Sequence, residues 1–178
     1  MDTAVWTTKD LQGQEIAFRI QDVGGQKVYR KVLEFFLVTR AVYLFLYRAD
    51  SALEDISESA TQWLNMLQAC VPGVTVLPVV THIDRVSTRD LEEQGEAVQG
   101  VFKQWTAKQN SLPNPQRIPL VRVLYNGKSL RVNCLKGDGI ADLRAGILKT
   151  AADTRGFREP LPKPVSYTHL TLPTIYSV

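Results

Sequence analysis

The chain has 178 residues, 44% of them apolar, and a net charge of +3: enough length and apolar content for one domain with its own core, and too mild a charge, with no Lys/Arg run and no basic stripe interleaved with aromatics, for a nucleic-acid binder. Two cysteines, Cys70 and Cys134, with two histidines to join them, support neither a disulfide framework nor a zinc site. The longest apolar runs, such as residues 74–80, are too short for a transmembrane segment, and no signal peptide opens the sequence, so a reducing, cytoplasmic setting is expected.

In chain order, strands are expected at residues 4–7 and 16–21, a helix near residues 29–38 and a strand at residues 41–47. A helix over about residues 57–69, a buried strand at 74–80 and a helix over 90–108 follow. The last of these carries Leu91, Val98, Val101, Phe102 and Trp105 on one face, a core stripe. Residues 110–119, with three prolines, read as a loop. Residues 120–125 and 130–132 read as a hairpin around Asn126-Gly127, a turn signal that also sets aside Gly127-Lys128-Ser129 as the end of a phosphate loop, since Arg122 stands where that motif needs its first glycine. A helix at 140–152 completes an alternation that means parallel α/β.

Two loops at strand ends carry chemistry. In Asp22-Val23-Gly24-Gly25-Gln26 the glycines let a backbone amide meet a terminal phosphate and change φ/ψ when it leaves. Gln26 would orient an attacking water, and Asp22 would reach a metal through water. An ordinary Asp-Gly-Gly turn between strand and helix has the same composition. Thr81-His82-Ile83-Asp84 follows the buried strand, at the edge where open α/β sheets bind ligands. There Asp84 can accept the two adjacent N–H donors of guanine's edge, a match that leaves the carboxylate unpaired against the wrong base; alternatively Asp84 merely opens the next helix, with Ser87 or Thr88 as its cap.

On these residues the chain resembles a Ras-like small GTPase, and more narrowly the Roc domain of ROCO proteins. Asp22 to Gln26 is similar to the switch II motif, Phe35-Phe36-Leu37 before Arg40-Ala41-Val42-Tyr43-Leu44 to the Roc segment entering its next strand, and Thr81-His82-Ile83-Asp84 to the Roc form of Asn-Lys-x-Asp. Asn133-Cys134-Leu135 ahead of Gly137-Asp138-Gly139-Ile140 is similar to the last guanine loop. The resemblance implies a three-layer, mostly parallel sheet of the P-loop GTPase type, GTP or GDP with Mg2+ as cofactors, and hydrolysis with Gln26 and Gly25 at the γ-phosphate. The nucleotide would be held by Asp22, Gly24, Gly25, Thr81, His82, Asp84, Asn133, Cys134 and Leu135, with Asp22 at the metal through water. His82 would lie over the guanine face and the Cys134 amide would approach the guanine carbonyl. Thr81, in place of the usual Asn, implies weak nucleotide affinity.

No G-x-x-x-x-G-K-[ST] motif occurs in the sequence. The chain is therefore expected to be a Roc fragment that lacks its first strand and phosphate loop, inactive by itself, with the strands on either side of the missing one flanking a gap. Residues 1–155 would be the partial domain and 156–164 the start of a linker into a COR domain in cis, within a dimeric multidomain signalling protein. Residues 165–178 contain no Asp, Glu, Lys or Arg and resemble translated sequencing adaptor, so they are left out of the fold reading; the alternative is a short natural edge strand rich in Thr and Tyr. Two other readings stand beside this one: a non-catalytic dimerisation or scaffold module with a degenerate nucleotide site, and a GTPase of the Arf or G-protein α type, which shares Asp-x-Gly-Gly-Gln.

Overall fold

A computed structural model of the chain describes residues 2–10, 12–22, 34–114, 116–124, 130–154, 157 and 174–177. It opens with strands β1 (Asp2–Lys9) and β2 (Glu15–Asp22), paired antiparallel from Asp2 opposite Asp22 to Lys9 opposite Glu15. The turn between them is set by Asp10, whose carboxylate accepts from the amides of Gln12 (2.8 Å) and Gln14 (2.9 Å), and by Gly13 at φ 81°.

The centre of the sheet is β3 (Ala41–Arg48) beside β4 (Thr75–Thr81), parallel from Val42 opposite Thr75 to Arg48 opposite Thr81. Both are buried along nearly their whole length, because each face of a parallel sheet is covered. Alternate residues of β3 serve different cores. Tyr43, Phe45 and Tyr47 pack with Ile56, Trp63 and Leu64 of α1 (Leu53–Cys70) and with Val98, Phe102 and Trp105 of α2 (Thr88–Ser111). Val42 and Leu44 pack on the other face with Phe18, Val132 and with Ile147 and Ala151 of α3 (Ile140–Ala152). The result is three layers, helix, sheet and helix. Trp105 Nε1 donates to Asn65 Oδ1 at 2.8 Å, tying α2 to α1, and Phe102 meets Phe45 edge-on at 5.8 Å.

The helix boundaries fall close to expectation, but three features differ. Of the expected helix near residues 29–38, the described part is a 3-10 turn, Glu34–Phe36; residues 29–33 lie outside the described residues. The hairpin is replaced by two short strands, β5 (Arg122–Val123) and β6 (Leu130–Arg131), each parallel to β4, at Thr75–Val76 and at Val79–Val80. The free edge of β4 offers both segments a ladder, which outweighs the local turn signal at Asn126-Gly127, itself outside the described residues. Third, β2 and β3 do not flank a gap. A strand, β7 (Thr174–Ser177), lies between them, parallel to both, with Arg19–Asp22 on one side and Ala41–Leu44 on the other. Two facing strand edges carry unpaired N–H and C=O groups, and an uncharged Thr-Ile-Tyr-Ser segment satisfies both. The sheet order is therefore β1, β2, β7, β3, β4, β5, with β6 also on β4.

Candidate functional site

All strands from β2 onward run in one direction, so their carboxyl ends share one edge. At that edge β4 ends in Thr81, whose hydroxyl donates to the Tyr47 carbonyl at 3.2 Å. The same oxygen lies 3.0 Å from His82 Nδ1. With its single proton directed at Tyr47, the hydroxyl is placed to accept from an Nδ1–H of His82. His82 itself is left-handed, at φ 56° and ψ 35°, a conformation uncommon outside glycine. It turns the chain sharply into a 3-10 turn, Ile83–Arg85, that carries Asp84 exposed at the rim. Asp84 lies in that turn, ahead of α2, and Ser87, one of the two expected caps, caps the helix, accepting from the Asp90 amide at 3.2 Å and donating to the Asp90 carboxylate at 2.8 Å.

A second loop is placed beside the first because β6 extends the ladder of β4, with the Val132 amide donating to the Val80 carbonyl at 2.9 Å. Asn133, 3% exposed, folds the loop around its own side chain: Oδ1 accepts from the amides of Leu135 (3.1 Å) and Lys136 (3.3 Å). Its backbone amide donates to the Asp138 carbonyl at 3.0 Å, and Gly139, at φ 75°, starts α3 so close to β6 that a Cβ there would stand 1.8 Å from the Arg131 carbonyl oxygen. Among the described residues, the amide of Cys134 donates to no partner. Leu135 is 92% exposed on the rim.

His82, Asp84, Arg85, Asn133, Cys134 and Leu135 line one cavity of about 320 Å³. A larger one of about 490 Å³ adjoins it, shares His82 and Cys134, and is walled by Thr81, by Phe45 to Arg48 of β3 and by the start of α1. Thus six of the residues singled out in the sequence, Thr81, His82, Asp84, Asn133, Cys134 and Leu135, meet at one place. Asp22 ends β2 on the same edge. It stands three strand positions from β4, roughly 14 Å at the usual strand spacing. Val23, Gly24, Gly25 and Gln26 lie outside the described residues.

One group was not foreseen from sequence. Arg48 binds Asp50 through both Nε (2.8 Å) and Nη2 (2.7 Å), and Arg85 adds a contact to the same carboxylate at 3.3 Å. This ties the end of β3 to the turn bearing Asp84. The Arg48 hydrogen bonds hold the Asp50 carboxyl far below the usual carboxylate range, with Arg85 adding to the effect against some desolvation.

The cavity fits a guanine: a rim carboxylate for its paired N–H donors, an unpaired amide for its carbonyl, and an imidazole and an exposed leucine near a flat ring. The phosphate end is different, since the sequence has no Walker-type loop and the two arginines near the cavity are already engaged by Asp50. Among the described residues, no three His, Cys, Asp or Glu side chains converge as a metal site. No helix among them is long and apolar enough to cross a membrane.

Residues 1–84, from β1 through Asp84, match the family model described as Ras of Complex, Roc, domain of DAPkinase. Over those residues the chain is similar to the Roc family. Roc is a Ras-like GTPase domain, a family whose members generally bind GTP or GDP and Mg2+, and the α/β sheet described above is that fold. Relatives include two from Dictyostelium discoideum, "Probable serine/threonine-protein kinase qkgA", 21% identical over 86% of this chain, and "Probable serine/threonine-protein kinase pats1", 25% identical over 84%. "Leucine-rich repeat serine/threonine-protein kinase 1" of Caenorhabditis elegans is 32% identical over 41% of the chain. The matched segments span 9%, 4% and 3% of those proteins. The chain is thus similar to a small part of those proteins.

Proposed function

We propose that the edge formed by residues 81–84 and 133–135 is the guanine end of a GTP-binding, GTP-hydrolysing switch that regulates a larger ROCO-type signalling protein. The convergence of Asp84 and the unpaired Cys134 amide on one cavity carries this reading. Asp84 selects guanine, His82 covers its face, and Asn133 holds the loop that presents the amide. Mg2+, when bound, neutralises the charge of the phosphates. Asp22 would stand toward that ion through water, Gly24 and Gly25 would bring amides to the phosphate end, and Gln26 would orient the attacking water. Because no Walker-type loop occurs in the 178 residues, hydrolysis by this chain alone is expected to be undetectable. The setting proposed is cytoplasmic, in a homodimeric parent protein. Residues 1–155 would be Roc, 156–164 would lead into a COR domain in cis, and 165–178 would be foreign to the gene, which amplification of the transcript across codon 165 tests.

Titration of fluorescent GDP with Mg2+ against this chain and against a form carrying upstream sequence with a phosphate loop tests the central reading. In whichever form binds, Asp84→Asn should weaken GDP at least about tenfold and improve xanthosine diphosphate, whose edge offers an acceptor where guanine has a donor. Equal loss of both nucleotides would remove Asp84 from the base site.

A scaffold reading rests on one observation. The Thr81 hydroxyl is spent inward, on Tyr47 and His82, so it is not free for a nucleotide. A folded, phosphate-loop-bearing form that binds no GDP would favour that reading.

A further inference from the structure

Asp84 stands on a slight support. Its exposed 3-10 turn is entered through the left-handed His82, and the backbone bond that closes it runs from the Arg85 amide to the His82 carbonyl at 3.1 Å. A single turn of this kind has poor hydrogen-bond geometry and opens easily. A carboxylate that must meet two N–H donors side by side needs a fixed position, so the turn has to be held from outside.

The turn after β3 is placed to hold it. Its Ala49 amide donates to the Thr81 carbonyl at 2.9 Å, and its Ser51 amide to the Arg48 carbonyl at 3.2 Å. Gln94 of α2 donates to the Ser51 carbonyl at 3.0 Å. β4 and α2 therefore brace the turn from two sides. Asp50 lies within it, less exposed than either arginine on its carboxylate. It binds Arg48 through two nitrogens and reaches Arg85, the residue after Asp84. Asp84 itself has no partner among the described residues, although an arginine is its neighbour in the chain. That arginine is engaged by a different carboxylate, and the rim carboxylate stays available.

We propose that Asp50 is a positioning residue for base recognition: through Arg85 it holds the turn that aims Asp84 and keeps that arginine from neutralising it. The proposal rests on the guanine reading above. Asp50 acts without touching the base. Exposed ion pairs are individually weak, but this one is bidentate on Arg48 and shared with Arg85, so the carboxylate is fixed before Arg85 docks on it.

Hydrogen exchange at the amide of residue 85, in the full chain without nucleotide, reads the turn directly. Asp50→Asn should reduce its protection at least about threefold. Arg85→Gln should do the same, and the two substitutions together should add nothing further. Protection at Val98 and Phe102 in the core of α2 should not change, which separates a loosened turn from a less stable protein. Arg89→Ala, which breaks an exposed pair with Glu93 at 2.8 Å, should leave residue 85 as it was. In the form that binds nucleotide, Asp50→Asn should lower the preference for GDP over ADP at least about threefold, because adenine lacks the donors that Asp84 meets; a residue that only stabilised the fold would weaken both alike. Should Asp50→Asn fail to fold, Arg85→Gln carries the same readouts. Unchanged protection at residue 85 in a folded variant overturns the proposal, as does a loosened turn with an unchanged preference. If no folded form binds GDP, the guanine reading falls and this role with it, whereas unchanged protection removes the role alone.

Discussion

Gly139 and Gly137 share a left-handed backbone but not the same surroundings. A Cβ on Gly139 meets the Arg131 carbonyl, whereas one on Gly137 meets nothing within 4 Å. Gly137→Ala should therefore cost only conformational strain, about 1–2 kcal/mol. Gly139→Ala must also push α3 away from β6, and should cost more than Gly137→Ala, about 3 kcal/mol or above. Urea unfolding of the two variants separates these outcomes, and equal losses would show that α3 does not depend on the close approach. Asp50 allows a pH prediction. Its carboxyl is held low by Arg48 and then Arg85, so its stabilising contribution is complete at neutral pH. It is lost as pH falls through the usual carboxylate range towards the lower folded value. The original chain should accordingly lose more melting temperature than Asp50→Asn on acidification, and added salt should shrink the difference; parallel profiles would mean that the pairing contributes nothing. At this scale the sequence was readable where a motif is contiguous, as at Thr81 to Asp84. The Asp50 clamp was hidden because Arg85 is 35 residues away in the chain, and only the pairing of β3 with β4 brings the two together.

The helices were legible because their signals are local and redundant. The stripe through Leu91, Val98, Phe102 and Trp105 is buried as its spacing implies, and Ser87 is the kind of residue that starts a helix. Replacing Ser87 by Ala should lower stability by about 1 kcal/mol, read as a shifted urea midpoint at unchanged slope. A change in slope would place the effect in the unfolded chain instead. The short strands β5 and β6 were not legible. Asn126-Gly127 argued for a hairpin, and nothing in a four- to six-residue segment tells it that a neighbour's edge is available. Strand pairing is decided by the partner, and the partner is tens of residues away. The consequence reaches the site, since it is the parallel join of β6 to β4 that sets Asn133 beside Thr81.

Over the whole molecule, alternation of strands and helices was enough to read a parallel α/β sheet, and residues 1–84 carry the Roc resemblance. Residues 165–178 were set aside for their composition, and residues 174–177 of that segment pair with both β2 and β3. A chain ending at residue 164 should expose the facing edges of β2 and β3 and self-associate at concentrations where the full chain does not. Light scattering of the two forms checks this, and equal scattering would mean that β7 protects nothing.

The pairing of Arg19 with Thr174 also sets an order of events when this chain refolds. Contacts that span nearly the whole chain form slowly, so β7 should join last, after both cores have assembled.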